Sequence, residues 1–184
     1  MPKLRYLNVG DLSLPDPLEG QDSSILDNLN ALWSGDFRCT QKVVERIPNL
    51  KKLRATCWYS PVDLCCYLSN FAQLNKLESL ILEGYSRLEE ITFPISLKKL
   101  SLRGFKISWE KMTIIGSSLP NLEVLKLGNA FGGQEWNLIE GEFLQLKVLY
   151  IWNTDLMRWE QKISIFQTSR TFTSNVCGNW RRSL

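Results

Sequence analysis

The pattern Leu-x-x-Leu-x-Leu, or a close variant of it, recurs along this chain and constrains its folding more than any other feature. It occurs at Leu4/Leu7/Val9, Leu29/Leu32/Ser34, Leu50/Leu53/Ala55, Leu77/Leu80/Leu82, Leu97/Leu100/Leu102, Leu122/Leu125/Leu127 and Leu146/Leu149/Ile151. Successive first leucines lie 25, 21, 27, 20, 25 and 24 residues apart. The last three positions of each frame alternate apolar and variable, the period of a strand with one buried face. A unit of this length is one strand plus a return segment, and it cannot bury its apolar side alone. Stacking neighbours side by side gives the leucines a shared core and forces the strands to run parallel.

The fold class expected is therefore α/β, a leucine-rich-repeat solenoid (a horseshoe). Its curved parallel sheet would line the concave face, with short helices and loops on the convex side. About seven repeats fill residues 1–160, with strands near 4–9, 29–34, 50–55, 77–82, 97–102, 122–127 and 146–151; residues 161–184 form a non-repeat tail. The clearest unit runs from Phe105 to Gly128. Ser108 is placed to cap a short helix over Trp109–Ile115, with Glu110 in its first turn. Gly116-Ser117-Ser118 ends the helix, and Leu119-Pro120-Asn121 makes a corner, because proline cannot continue a helix. The same grammar gives a helix at Thr40–Arg46 and a corner at Ile47-Pro48-Asn49. Ala130–Gln134 reads as a turn between elements, and the unit around Phe93–Leu97 has little room for a helix.

With leucines inward, the alternate residues form a display surface. Trp33, Lys52, Arg54, Lys99, Arg103, Lys126, Tyr150 and Trp152 fall on it and are the candidate protein-binding residues. The cations would make a basic stripe and the rings exposed anchors, both favoured types at interfaces. Trp109, Trp136 and Trp159 sit in connecting segments and read as core packing.

Composition narrows the function classes. The chain has 184 residues, a net charge of +3 and no histidine. That charge is too mild to imply nucleic acid. Without histidine the commonest general base and zinc ligand are missing, and no nucleophile–base–orienter set, phosphate loop or metal-ligand spacing appears. The expectation is a non-enzymatic chain with no cofactor and no metal. No apolar run approaches bilayer length and no signal-peptide pattern opens the chain. Five cysteines, odd in number and not placed as capping pairs, and the lack of an Asn-x-Ser/Thr acceptor point to a reducing, cytoplasmic setting. They also count against a secreted ectodomain.

Three segments carry a more specific resemblance: Ile47-Pro-Asn-Leu-Lys-Lys-Leu53, Lys106–Leu125, and Leu119–Glu160 with its Ala130-Phe-Gly-Gly-Gln-Glu-Trp136 and Glu140-Gly-Glu-Phe-Leu-Gln-Leu-Lys147 runs. Over residues 1 to about 160 the chain resembles the leucine-rich-repeat region of plant nucleotide-binding, leucine-rich-repeat disease-resistance proteins, in the coiled-coil subclass that includes the late-blight resistance proteins. That resemblance implies a ligand-sensing and autoregulatory interaction module of an intracellular immune receptor, acting in defence against pathogens. The implied partners are a pathogen effector, a guarded host protein or the receptor's own nucleotide-binding domain, with no nucleic acid and no membrane insertion. The P-loop, the kinase-2 aspartate and an MHD-like motif are not in these 184 residues, so nucleotide binding is not carried over. The chain reads as a fragment that begins inside a repeat, possible as a non-functional product alone, and as able to self-associate through uncapped ends. The alternative is a leucine-rich-repeat substrate-adaptor domain of a ubiquitin ligase complex, which uses the same architecture but would carry an F-box-like helical segment.

Beyond Glu160 the period vanishes, and Gln161–Leu184 reads as disordered. Shifting the reading frame by one base restores the pattern. Ser164 to Leu184 then encode, with permitted codon choices, a further Pro-Asn-Leu corner and a Cys-Leu-Trp-Lys-Leu-Glu-Glu-Ile-Pro ending of the kind typical of the resembled family. The leucine drawn from Asn179–Trp180 is forced, because either asparagine codon ending supplies it. A single frame change between about Met157 and Ser164 is expected. Transcript sequencing through codons 150–184 tests it, and a shifted frame that does not encode those residues refutes it.

Overall fold

The computed structural model of the chain describes residues 3–10, 25–35, 37, 39–57, 69–85, 92–129, 131–161, 171–175 and 181–182. Along it lie strands β1 (Tyr6–Asn8) and β2 (Ala31–Ser34), helix α1 (Gln41–Arg46), β3 (Lys52–Cys57), a 3-10 turn at Ser69–Gln73, β4 (Ser79–Gly84), β5 (Lys99–Arg103) and β6 (Ile107–Ser108). Helix α2 (Trp109–Ser118) follows, then β7 (Val124–Gly128), β8 (Phe131–Gly132), β9 (Glu135–Leu138), β10 (Val148–Trp152), β11 (Arg158–Gln161), β12 (Thr171–Asn175) and β13 (Arg181–Arg182). The architecture is α/β and rests on an open eight-stranded parallel sheet in the order β1-β2-β3-β4-β5-β7-β10-β12.

Each leucine frame supplies one strand of this sheet, and the register is unbroken. Leu7, Leu32, Leu53, Leu80, Leu100, Leu125 and Leu149 face one another across adjacent strands. Ala55, Leu82, Leu102, Leu127 and Ile151 form a second row. From Leu32 and Ala55 onward, every member of both rows is buried. The first leucine of each frame lies before its strand, so strands begin two residues later than the leucine spacing suggests. Leu50 and Leu122 donate their N–H groups back to Ile47 and Leu119, closing the corner before the strand opens. These corner leucines form a third buried row.

The corners are stitched to one another. The amides of Lys51 and Lys52 both donate to the Asn30 carbonyl, those of Glu78 and Ser79 to Lys51, Lys98 and Lys99 to Glu78, Glu123 and Val124 to Lys98, and Lys147 and Val148 to Glu123. Asparagines just before the corner leucine reach back one unit as well: Asn49 Nδ2 donates to the Asp27 carbonyl at 2.8 Å and Asn121 Nδ2 to the Ile95 carbonyl at 3.1 Å. These side chains satisfy carbonyls at the turn that no ladder partner would reach.

The return segments close over the leucine face as one hydrophobic cluster with Val43, Ile47, Phe71, Phe93, Met112 and Ile115. Helix α1 starts at Thr40, whose hydroxyl accepts from the Val43 N–H at 3.2 Å. Ser108 occupies the corresponding position before α2, but its side chain makes no capping bond. There Trp109 holds the helix start instead: it stacks on Trp136 with centroids 5.0 Å apart, and its Nε1 donates to the Gly133 carbonyl at 2.7 Å. Both tryptophans are buried, in line with core packing; the Trp159 side chain lies outside the described residues.

Two parts of the return side depart from the helices and loops expected there. Phe131–Gly132, within the segment read as a turn, pairs in parallel with Ile107–Ser108. β9, β11 and β13 form a second, three-stranded parallel sheet. The reason lies in residue type. Glu135-Trp-Asn-Leu138 alternates like a strand, with Trp136 and Leu138 buried and Glu135 and Asn137 exposed, and Glu135 pairs with Arg158 of β11 at 2.7 Å. The tail also differs from the disorder expected of it, since Thr171–Asn175 lies beside β10 as the eighth strand. β10 would otherwise present an open row of amides and carbonyls, which any extended segment returning alongside can satisfy. Cys65, Cys66 and Cys177, and most of 161–184, lie outside the described residues. Among the described residues no helix is long and apolar enough to cross a membrane.

Candidate functional site

The outward rows of the sheet carry the polar and aromatic residues. All eight candidate residues fall on this face, and register fixes how they meet. One row reads Tyr6, Ala31, Lys52, Ser79, Lys99, Val124, Val148; the next reads Asn8, Trp33, Arg54, Ile81, Ser101, Lys126, Tyr150. A third runs Thr56, Glu83, Arg103, Gly128, Trp152.

The expected basic stripe is interrupted. Glu83 of β4 stands between the two arginines, and a single oxygen, Oε1, accepts from Arg54 Nη2 at 3.1 Å and Arg103 Nη1 at 3.3 Å. The arginines also reach outward along the face. The Arg54 guanidinium lies 4.6 Å from the Trp33 ring centre, and that of Arg103 lies 5.4 Å from the Trp152 ring centre. Tyr150 and Trp152 tilt against each other at 5.1 Å. Trp33, Arg54, Glu83, Arg103, Trp152 and Tyr150 thus form one continuous side-chain chain from β2 to β10.

Glycine makes the last link possible. Gly128 sits on β7 between Arg103 and Trp152, and the Trp152 indole lies over it. A Cβ built on Gly128 would fall 1.9 Å from Trp152 Cε2, so only glycine leaves room for the ring to cross a strand and reach Arg103. Nothing in the sequence pattern alone marks Gly128, because it occupies an ordinary outward position. The role of Glu83 was equally hidden, since its partners are 29 and 20 residues away in sequence.

Three candidate cations stay outside this network. Lys52, Lys99 and Lys126 make no ion pair with a described residue, whereas at the neighbouring rim charges alternate and pair: Lys98 with Glu78 at 3.8 Å and Lys147 with Glu123 at 3.2 Å. Among the described residues of the face, five cations thus stand against the single carboxylate of Glu83. At the β5–β10 end lies a shallow depression of about 460 Å³, lined by Arg103, Lys126, Gly128, Asn129, Val148, Tyr150 and Trp152. On β5, opposite Lys126, Ser101 Oγ is buried without a hydrogen-bond partner.

These exposed ion pairs and cation–π contacts each stabilise by about 0.5–1 kcal/mol or less. The fold does not depend on them, so the face can be altered without unfolding the chain. The face offers aromatic rings and cations held in place by ring and carboxylate contacts, residue types favoured at interfaces.

No family model matches the chain. Among curated proteins, two late blight resistance protein homologs of Solanum demissum are each 34% identical to it over 172 residues, covering 86% of the chain and 13% of the homolog. A late blight resistance protein of the same species is 31% identical over 171 residues, with the same coverage. The chain therefore spans about an eighth (13%) of the length of these relatives, and over 86% of its own length it is a relative of the late blight resistance proteins.

Proposed function

We propose that the chain is a protein-interaction module, a leucine-rich-repeat solenoid of a plant intracellular immune receptor that senses a ligand or restrains its own receptor during defence against pathogens. It works in the cytoplasm, without turnover or cofactor, and its partner is a pathogen effector, a guarded host protein or a nucleotide-binding domain. The carrying observation is the uninterrupted parallel sheet whose leucine rows turn inward and whose other face gathers Trp33, Arg54, Arg103, Lys126, Tyr150 and Trp152. Similarity to late blight resistance proteins supports the immune setting.

Capture of partners from leaf extract, compared between the native chain and a Lys52→Glu/Arg54→Glu variant, tests the reading. Loss of the captured protein in the variant is expected, because reversing two charges on the face opposes whatever the face attracts. Capture that is unchanged by the double reversal overturns the reading.

A further inference from the structure

The face described above has a charge spacing and a shape that together narrow what it takes. We propose that it binds an extended acidic segment of a protein partner, laid across the strands, with carboxylates two or three residues apart and a bulky apolar side chain seated in the Trp152 depression. This rests on the interaction reading but commits to a ligand chemistry.

Spacing is the first reason. Lys52 and Lys99 share a row but are separated by Ser79 of β4, so they stand two strand spacings, about 10 Å, apart. Lys126 is on the next strand of the sheet after Lys99 and one outward position further along, a diagonal of about 7–8 Å. An extended peptide presents side chains at i and i+2 on one face about 7 Å apart where it is β-like, and at i and i+3 about 9 Å apart where it winds as polyproline II, three residues to the turn. Single carboxylates at that interval meet successive lysines.

Availability is the second. The rim lysines Lys98 and Lys147 already face Glu78 and Glu123, while Lys52, Lys99 and Lys126 face no described carboxylate. Arg103 gives one nitrogen to Glu83 and still lines the depression with Lys126. The third reason is the floor of the depression. Trp152, Tyr150 and Val148 supply an apolar surface beside two cations, the setting for an apolar side chain next to an acidic one. Glu83 lies between the arginines and would repel an uninterrupted phosphate backbone, which favours discrete carboxylates over nucleic acid.

The test uses the full chain and a fluorescein-labelled peptide, Glu-Gly-Gly-Glu-Gly-Glu-Leu-Trp, read by anisotropy at 50 mM and 500 mM salt. Saturable binding is expected, weakened at least tenfold by Lys126→Glu and by Trp152→Ala, weakened by the higher salt, and unchanged by Lys76→Glu, a lysine before β4 whose Nζ donates to Asn49 Oδ1 at the neighbouring corner, away from the depression. Circular dichroism of each variant confirms that it is folded. Binding that Lys126→Glu leaves intact, no binding of the peptide, or equal binding of its scrambled glutamine counterpart or of a thymidine oligonucleotide overturns the proposal. If a leaf partner is lost on Lys52→Glu/Arg54→Glu while the peptide fails to bind, the interaction reading stands and the acidic ligand falls. If the peptide binds and no face-dependent partner is captured, the acidic specificity of the face stands and its assignment to an immune receptor's partner in leaf falls.

Discussion

Gly128 shows how much one missing side chain can organise. The Trp152 indole occupies the space a Cβ would take and so meets Arg103 from two strands away. Gly128→Val is expected to push the ring off the face. Stability should change by only about 1 kcal/mol, because valine suits a strand and the lost cation–π contact is small. Tryptophan emission should shift to the red as the indole meets water, and an unshifted spectrum would show that the ring never lay there. Cys39 makes the opposite point, a titratable group whose surroundings silence it. Burial, and secondarily the neighbouring Cys57, push its thiol up from 9.0 to about 12. A thiol is neutral when protonated, so the folded state keeps this proton above pH 9 where the unfolded chain releases it. Stability is therefore fully present below pH 9 and declines toward pH 12, by up to about 1.4 kcal/mol per pH unit. Native chain should resist iodoacetamide at Cys39 at pH 8. Urea titrations of wild type and Cys39→Ala should converge as pH rises from 9 to 11; parallel curves would contradict the raised value.

The two helices of the return side begin differently, and substitutions should reveal it. Thr40→Ala removes a real capping bond and should cost about 1 kcal/mol in urea melts. Ser108→Ala removes none and should cost a few tenths at most. Trp136→Ala, by contrast, empties the aromatic stack between Trp109 and Phe143 and should cost about 3–5 kcal/mol. Equal losses at Ser108 and Thr40 would mean that the tryptophan stack is not what holds α2. These elements also mark where reading the sequence succeeds. A leucine at a fixed interval reports burial and strand order directly, because register follows from repetition: the partners of Leu53, Leu80 and Leu100 could be named before any coordinates. Single side-chain meetings follow no such period. Glu83 beneath two arginines, the indole over Gly128, and the second sheet through Trp136 depend on how a return segment of variable length folds back. The eight display residues were legible as a face; the division of their five cations into two arginines sharing one carboxylate and three open lysines was not.

At the scale of the whole molecule, the outer edges of the sheet govern behaviour. β12 covers β10 with residues that carry no leucine frame. Removing residues 162–184 should bare the β10 edge, and sedimentation should then show concentration-dependent self-association beyond that of the full chain. A truncated chain that stays monomeric at high concentration would mean that β12 contributes nothing to solubility. At the other edge β1 is only three residues long and Tyr6 stands exposed, so less backbone is open to pairing there.

The main sheet follows chain order from β1 to β12, so each strand's hydrogen-bonded neighbour is the next unit along the polypeptide. Among the described strands, load passing along the chain meets only sequential neighbours in the main sheet. Stretched in an optical trap, the protein should lengthen in small repeated yields of some 20–27 residues apiece, the interval between its corner leucines, instead of giving way at once.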